Sequence, residues 1–418
     1  MASIIVKGGR PLSGAVRVGG AKNSALKLMA AALLAPGESQ IGNVPEISDV
    51  AVMAQVLERL GARVSREDHC LHVDATNIAS METPYELVAQ MRASIIVLGP
   101  LLARFGHARV AMPGGCNIGS RKIDMHIRGL QHLGVQIDFE HGYIEASVPR
   151  GLTGAHVILD FPSVGATENL LMAAVMASGT TVIENAAREP EIGDLVEMLR
   201  SMGARIEGKD SPSLTIEGVS TLKSADHVTI GDRIEAGTLL AAGAITSGRV
   251  TVGGFDPRHL EIVIAKMADA GCEFEFTPDG VTVSRSAGLR PVDISTLPFP
   301  GFPTDMQAQF MALMSIAEGS CVITENVFES RFMFADELKR MGADIDIEGH
   351  RAIVRGVAHL EGAPVRCPDL RGGAALVIAG LAAEGETRAD DVHHIMRGYE
   401  DLTGKLQSLG ADVRIIED

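Results

Sequence analysis

Hydrophobic and polar positions in this chain repeat in a fixed order six times. An apolar residue, a glycine, a small residue, a variable one and a second apolar one occur at Leu60-Gly61-Ala62-Arg63-Val64, Leu133-Gly134-Val135-Gln136-Ile137 and Met202-Gly203-Ala204-Arg205-Ile206. The order returns at Ala270-Gly271-Cys272-Glu273-Phe274, Met341-Gly342-Ala343-Asp344-Ile345 and Leu409-Gly410-Ala411-Asp412-Val413. The glycines lie 68 to 73 residues apart, so six units of about 70 residues fill the chain. Ahead of Gly61, the residues Val50, Met53, Val56, Leu57 and Leu60 keep helical spacing. Behind it, Arg63-Val64-Ser65-Arg66 alternates as a half-buried strand does. The glycine between them supplies the left-handed residue that ends a helix.

A second helical segment precedes this one in each unit and is apolar on nearly every side. Ser24 to Ala35, Asn169 to Ser178, Gly237 to Thr246, Met306 to Ala317 and Gly372 to Ala383 are examples, rich in Ala, Leu and Met. A helix without a polar face has to be enclosed. Each ends in a glycine turn followed by a β-branched strand, so the unit reads as strand, buried helix, strand, outer helix, strand, strand. The expected fold is α/β, with two inside-out domains of three units each, helices within and strands outside.

Composition narrows the function. At 418 residues the chain is too long for one core of ordinary size. A formal net charge of −16, 4% aromatic residues and no tryptophan argue against nucleic acid as a partner. An anion would have to be held by a few placed cations. The five cysteines (Cys70, Cys116, Cys272, Cys321, Cys367) are scattered and form no C-x-x-C pair, which supports neither a disulfide framework nor a zinc site. His69-Cys70-Leu71-His72 reads as a surface strand rather than a ligand cluster. No basic-then-apolar leader opens the chain, and the longest apolar stretch, Ala374 to Ala383, is too short to span a bilayer. These features predict no membrane insertion and a cytoplasmic location.

Candidate chemistry concentrates at two positions of the repeat. Lys22, Val164, Asp232 and Arg371 each lie 39 residues before the glycine of their unit, at the start of the buried helix. Thr304 and Asp305 take that place in the fifth unit, and Arg92 takes it in the second, shifted to 42 residues. Helix starts offer unpaired N–H groups and a positive dipole end, which suit phosphate. Lys22 with Asn23, Arg92, Arg233 and Arg371 add full charges there. The loop before the outer helix is the second position, with Cys116 through Asp124, Arg188-Glu189, Phe328-Glu329-Ser330-Arg331 and His393 through Arg397. Cys116 sits among glycines beside Arg121 and Lys122, and cations favour thiolate over thiol. Lys209, Lys223 and Lys266 read as solvated surface charges, and His393-His394 as loop packing.

Lys22-Asn23, Pro113-Gly114-Gly115-Cys116 with Arg121 and Asp124, and Pro300-Gly301-Phe302-Pro303-Thr304-Asp305 resemble the UDP-N-acetylglucosamine 1-carboxyvinyltransferase family. So do Thr324 to Glu329, Asp369-Leu370-Arg371-Gly372-Gly373 and Arg397-Gly398-Tyr399-Glu400, and the likeness spans the chain. Asn117, Ser120, Lys122 and Ile96 depart from the family's usual residues. The resemblance implies transfer of the enolpyruvyl group of phosphoenolpyruvate to the sugar 3-hydroxyl of UDP-N-acetylglucosamine, releasing phosphate, with no cofactor and no metal. It implies the first committed step of peptidoglycan precursor synthesis, and so a part in cell shape and division, with fosfomycin as an inhibitor. It also implies one domain over residues 21–229, another over 1–20 and 230–418, and an active site in the cleft between them.

On the same basis, Cys116, Asp305, Lys22 and Arg397 are the candidate catalytic residues. Cys116 would act as the acid, or carry a covalent adduct, and Asp305 as the base. Lys22, Arg121 and Arg397 would hold phosphate, with Arg92 and Arg371 near the phosphate or carboxylate. Asn23, Arg121, Lys122, Ile123, Asp124, Met125, Ser163, Val164, Gly165, Arg233, Val327 and Phe328 complete the candidate substrate contacts. Transfer to another acceptor such as shikimate 3-phosphate and a non-catalytic paralogue that binds the nucleotide sugar remain as alternatives. Oligomeric state stays open, and a monomer suffices.

Overall fold

The computed structural model describes residues 2–112 and 123–417, the side chains of Gln90 and Arg92 excepted. Cys116, Arg121 and Lys122 lie outside the described residues. The chain forms two compact bodies, one of residues 2–19 and 231–417, the other of residues 20–112 and 123–230.

Each body carries three small sheets built on one rule. The strand leading into a buried helix pairs in parallel with the strand leaving it, and the helix is the crossover that parallel pairing needs. The unit's last strand then pairs antiparallel with both the second and the third. In the 20–230 body this gives His156–Ile158, Thr180–Glu184, Ser213–Glu217 and Arg205–Glu207 in spatial order. The sheet of His107–Ala111, Tyr143–Ser147 and Gln136–Glu140 has three strands, and a single parallel bridge from Glu82 to Arg109 takes the place of the fourth. The 231–417 body repeats the rule with Ile294–Ser295, Ser320–Thr324, Arg351–Arg355 and Asp344–Glu348.

Three sheets are completed from far along the chain. Strand Ser13–Arg17 leads directly toward helix Lys22–Ala31, yet it pairs with Arg249–Gly253 of the 231–417 body. Helix Lys22–Ala31 gets its parallel partner strand from His227–Val228, which lies beside Glu38–Gly42. Strand Ala2–Lys7 lies between Glu386–Asp390 and Asp412–Glu417 and serves as the last strand of the sixth unit.

The helices follow the hydrophobic pattern. Every residue of Arg233–Ile245 and of Gln307–Met314 is buried, and Leu370–Ala382 is buried from Arg371 to Leu381. The three pack on one another inside their body. Outer helix Ser48–Leu60 buries Val50, Met53, Val56, Leu57 and Leu60, the stripe read from the sequence. Among the described residues no helix is long and apolar enough to cross a membrane.

All six repeat glycines take positive φ, from 89° at Gly342 to 109° at Gly61. At Gly203 a β-carbon would meet nothing within 4 Å, whereas at Gly61 it would press to 2.7 Å on the backbone of Asn77 and Ala79. Gly203→Ala should therefore cost only the left-handed conformation, about 1 kcal/mol. Gly61→Ala adds a backbone clash and should cost clearly more. Urea unfolding of the two variants measures the difference.

Candidate active site

Helix starts carry the charged groups, as the repeat predicts. Lys22 and Val164 are first residues of their helices, Asp232 caps Arg233–Ile245, and Arg371 is the second residue of Leu370–Ala382. Thr304 and Arg92 each open a short 3-10 turn leading into the helix of the fifth and second unit. Two of these helices have acidic caps: Asp232 accepts from the N–H groups of Ile234 and Glu235, and Asp369 from those of Arg371 and Gly372. A carboxylate cap both fills the orphan donors and opposes the dipole's positive end.

In the 231–417 body, Asp305 is the centre of a charge cluster. Arg331 donates from Nη2 to its Oδ1 at 2.7 Å, and Arg371 donates to its Oδ2 from Nη2 at 3.0 Å and Nε at 3.3 Å. Both arginine side chains are 4% exposed and Asp305 is 24% exposed. Burial alone would push the Asp305 carboxyl up, but the guanidinium charges of Arg371 and Arg331 outweigh it and hold the group well below the usual carboxylate range. A carboxylate so held accepts hydrogen bonds but takes up a proton only when a guanidinium turns away.

Glu325 fixes the surroundings. Its Oε1 accepts from Thr296 Oγ1 at 2.9 Å and from the N–H groups of Val327 and Phe328 at 2.8 and 3.0 Å. Its Oε2 accepts from Thr304 Oγ1 at 2.9 Å, and Arg331 Nη1 donates to that same hydroxyl at 3.0 Å. The Arg331 guanidinium also lies 5.2 Å from the Phe328 ring centre. One buried carboxylate thus joins Val327 and Phe328 to the Thr304-Asp305 turn. Arg233 is buried, with its guanidinium 5.7 Å from the Phe299 ring centre, and lines a cavity of about 280 Å³ with Phe299, Pro300 and Pro303. Arg397 ends the 3-10 helix Val392–Arg397 and is half-buried.

In the 20–230 body, Lys22 is not a bare cation. Its Nζ is 2.7 Å from Asp49 Oδ2, in the first turn of the neighbouring outer helix, and both side chains are almost fully buried. Asn23 offers its carbonyl to Lys27 Nζ at 2.9 Å, and Lys27 in turn lies 3.4 Å from Glu168 Oε2. Glu168 is completely buried, and its carboxyl is pushed up to about 7 by burial, against the pull of Lys27.

Ser163, Val164 and Gly165 meet the helix Asp124–His132 through a histidine. Ser163 Oγ accepts from Ala166 N at 3.3 Å and caps its helix. A β-carbon on Gly165 would fall 3.1 Å from the imidazole of His126. Asn169 fixes the tautomer of that ring: its Oδ1 accepts from Gly99 N, so its Nδ2 is the donor, reaching Ile95 O at 3.1 Å and His126 Nδ1 at 3.0 Å. His126 therefore carries its proton on Nε2, beside Gly165. Ile123 and Met125 are half-buried, and exposed Asp124 pairs with Arg128 at 2.9 Å.

The structure joins Asp305 with Arg371, and Ser163–Gly165 with the segment that follows Asp124. It adds Arg331, Glu325, Asp49 and His126, which the sequence did not single out as site residues. Arg331 stands in the loop position already marked by Phe328, and His126 is one residue past Met125, so both had a positional signal. The other described thiols are poor candidates for chemistry where their titration is defined: burial pushes Cys272 up to about 11, and Cys321 and Cys367 up to about 12. Among the described residues no group of three His, Cys, Asp or Glu could hold a metal ion.

Comparison with known proteins places this arrangement. The family described as EPSP synthase (3-phosphoshikimate 1-carboxyvinyltransferase) matches residues 6–406, and the chain belongs to this enolpyruvyl transferase family. It is an enzyme of the transferase class. A UDP-N-acetylglucosamine 1-carboxyvinyltransferase from Trichlorobacter lovleyi is 50% identical over 418 residues, covering all of both chains. One from Staphylococcus aureus is 51% identical over 421 residues, again covering all of both. The solved enolpyruvyl transferase NikO from Streptomyces tendae superposes with TM-score 0.90 at 29% identity, over 99% of this chain and 98% of that one. An EPSP synthase from Acinetobacter baumannii superposes with TM-score 0.76 at 17% identity over all of both chains and shares the fold.

Two carboxyls give opposite pH signatures. Asp305 stays ionised in the folded protein below the unfolded value of about 3.9, so its stabilisation is complete above that pH and fades as the pH falls further. The gap in urea midpoint between wild type and Asp305→Asn should be widest at neutral pH and shrink below pH about 4. Glu168 binds a proton in the folded chain that an unfolded glutamate releases near pH about 4.3. Stability from this group is therefore lost as pH rises from there to about 7. Glu168→Gln should flatten that slope in part, because Glu235, also raised to about 7 by burial, has the same sign.

Proposed function

We propose that this chain transfers the enolpyruvyl group of phosphoenolpyruvate to the 3-hydroxyl of UDP-N-acetylglucosamine with release of inorganic phosphate, in the cytoplasm. The observation that carries the reading is half identity over the full length to relatives of that name, against 17% to an EPSP synthase. Enolpyruvyl transfer to shikimate 3-phosphate is therefore the less favoured reading, and a silent sugar-binding paralogue has no feature in its support.

The chemistry is addition followed by elimination. A proton added to the methylene carbon of phosphoenolpyruvate makes its neighbour electrophilic, and the sugar hydroxyl bonds to that carbon while losing its proton. Loss of a methyl proton and of the C–O bond to phosphate then restores the double bond. Cys116 is assigned the delivery of the first proton, and Asp305 the removal of the hydroxyl proton. Lys22, Arg121 and Arg397 are assigned to the phosphate, with Arg92 beside them. Positioned cations of this kind stabilise charge as it develops and are usually the largest catalytic contribution.

Arg331 and Arg371 suit the substrate carboxylate, since a guanidinium fork matches that planar anion. This assignment also resolves how Asp305 can act as a base. A guanidinium that turns to a substrate carboxylate releases its hold on Asp305, whose affinity for a proton then rises. The base is thus activated by arrival of the substrate. His126, Ser163–Gly165, Ile123–Met125, Val327 and Phe328, together with Asn23, Lys122 and Arg233, are assigned to the nucleotide sugar. By the same reading the enzyme serves cell-wall biogenesis, with its consequences for cell shape and division.

A coupled phosphate-release assay with phosphoenolpyruvate tests the reading: UDP-N-acetylglucosamine should support turnover and shikimate 3-phosphate should not. Asp305→Asn should lower kcat by a factor on the order of 100 or more, as loss of a general base does. Fosfomycin should add covalently to Cys116 alone, and an intact-protein mass without the adduct counts against the thiol's role.

A further inference from the structure

The geometry points to Tyr399 as a positioning residue that holds Arg371 on Asp305 through a buried junction with Thr238 and Gln309. It rests on the reading of Asp305 and Arg371 given above and adds to it a group that touches neither substrate.

Tyr399 is 3% exposed and follows the 3-10 helix that ends at Arg397. The Arg371 guanidinium lies 5.3 Å from its ring centre, a cation–aromatic contact inside the protein. Its hydroxyl is 2.9 Å from Thr238 Oγ1 and 3.2 Å from Gln309 Nε2, and Gln309 Nε2 is 3.0 Å from Thr238 Oγ1. Directions follow from the inventory of donors. Thr238 spends its own proton on Ile234 O at 2.8 Å, so its oxygen can only accept from the other two. The phenol therefore donates to Thr238 and accepts from Gln309. Burial pushes the phenol's ionisation upward, which keeps that proton in place.

The three partners come from three different elements. Thr238 lies in Arg233–Ile245, Gln309 in Gln307–Met314, and Arg371 in the first turn of Leu370–Ala382. These are the three interior helices of one body, and most of their other buried residues are Ala, Leu, Gly, Ile and Met. Apolar packing alone sets rotation and register loosely, whereas directional hydrogen bonds between buried groups, here among Tyr399, Thr238 and Gln309, narrow them. The starts of the same helices present Arg233, Thr304-Asp305 and Arg371. A junction that pins the helices thus sets the distance from the Arg371 guanidinium to the Asp305 carboxyl.

The test uses the full chain and two measurements. Tyr399→Phe keeps the ring beneath the guanidinium and removes only the hydroxyl. It should fold, lower kcat about tenfold, and leave KM for UDP-N-acetylglucosamine within about twofold, since small misplacements of a reacting group are felt mainly in turnover. Arg371→Lys should lower kcat as well, and the double variant should be no slower than Arg371→Lys alone. Effects that multiply in the double variant would overturn the proposal and leave Tyr399 a packing residue. If wild type releases no phosphate from this substrate pair, the functional reading fails, and urea unfolding decides the positioning role separately. Tyr399→Phe and Asp305→Asn alter groups joined through Arg371. About fivefold non-additivity in their unfolding equilibrium constants supports the link, and simple additivity refutes it.

Discussion

A helix with no polar face has to be enclosed, and the architecture of both bodies follows from that constraint. One sheet covers one side of a helix, so three sheets surround a group of such helices, and each unit of the repeat supplies one helix and one sheet. The consequence is that charged groups gather chiefly at helix ends, where the backbone already presents unpaired donors, while mid-helix Lys27 and Glu168 are buried beside each other. Lys22, Arg233 and Arg371 stand at such ends, with Asp232 and Asp369 as caps. The shape of the core thereby selects where a site can form.

Charges at those ends are neutralised before any ligand arrives. Lys22 has Asp49, Arg371 and Arg331 share Asp305, and Lys405 reaches Glu235 at 2.6 Å. Buried cations without partners would be costly, so each body holds these groups in pairs. On the reading proposed above, an anionic substrate would exchange with the pair at Asp305 and free that carboxylate as a base.

Much of the backbone was legible in advance, because glycine and hydrophobic spacing act locally. The six glycines marked left-handed helix ends, and counting back from them found the helix starts, shifted only where the second unit differs. The strand exchange was not legible from spacing: His227–Val228 has two residues and no periodicity, and its partner Glu38–Gly42 lies far away in sequence. Site chemistry divides in the same way. Asp305 and Arg371 could be read from their repeat positions. Asp49 and Glu325 are brought to Lys22 and Thr304 by packing within their own units, which no local spacing records, while Arg331 and His126 stand beside positions the repeat marks.

The exchange of leading strands has a temporal side. Synthesis proceeds from the N-terminus at roughly 5 to 20 residues per second. Strands Ala2–Lys7 and Ser13–Arg17 emerge first, yet their partners begin at Arg249 and extend to Glu417. The 20–230 body has its strands and helices available earlier, including His227–Val228, which closes its first sheet. These two leading strands are therefore among the last to be placed, and until then they wait unpaired on the growing chain.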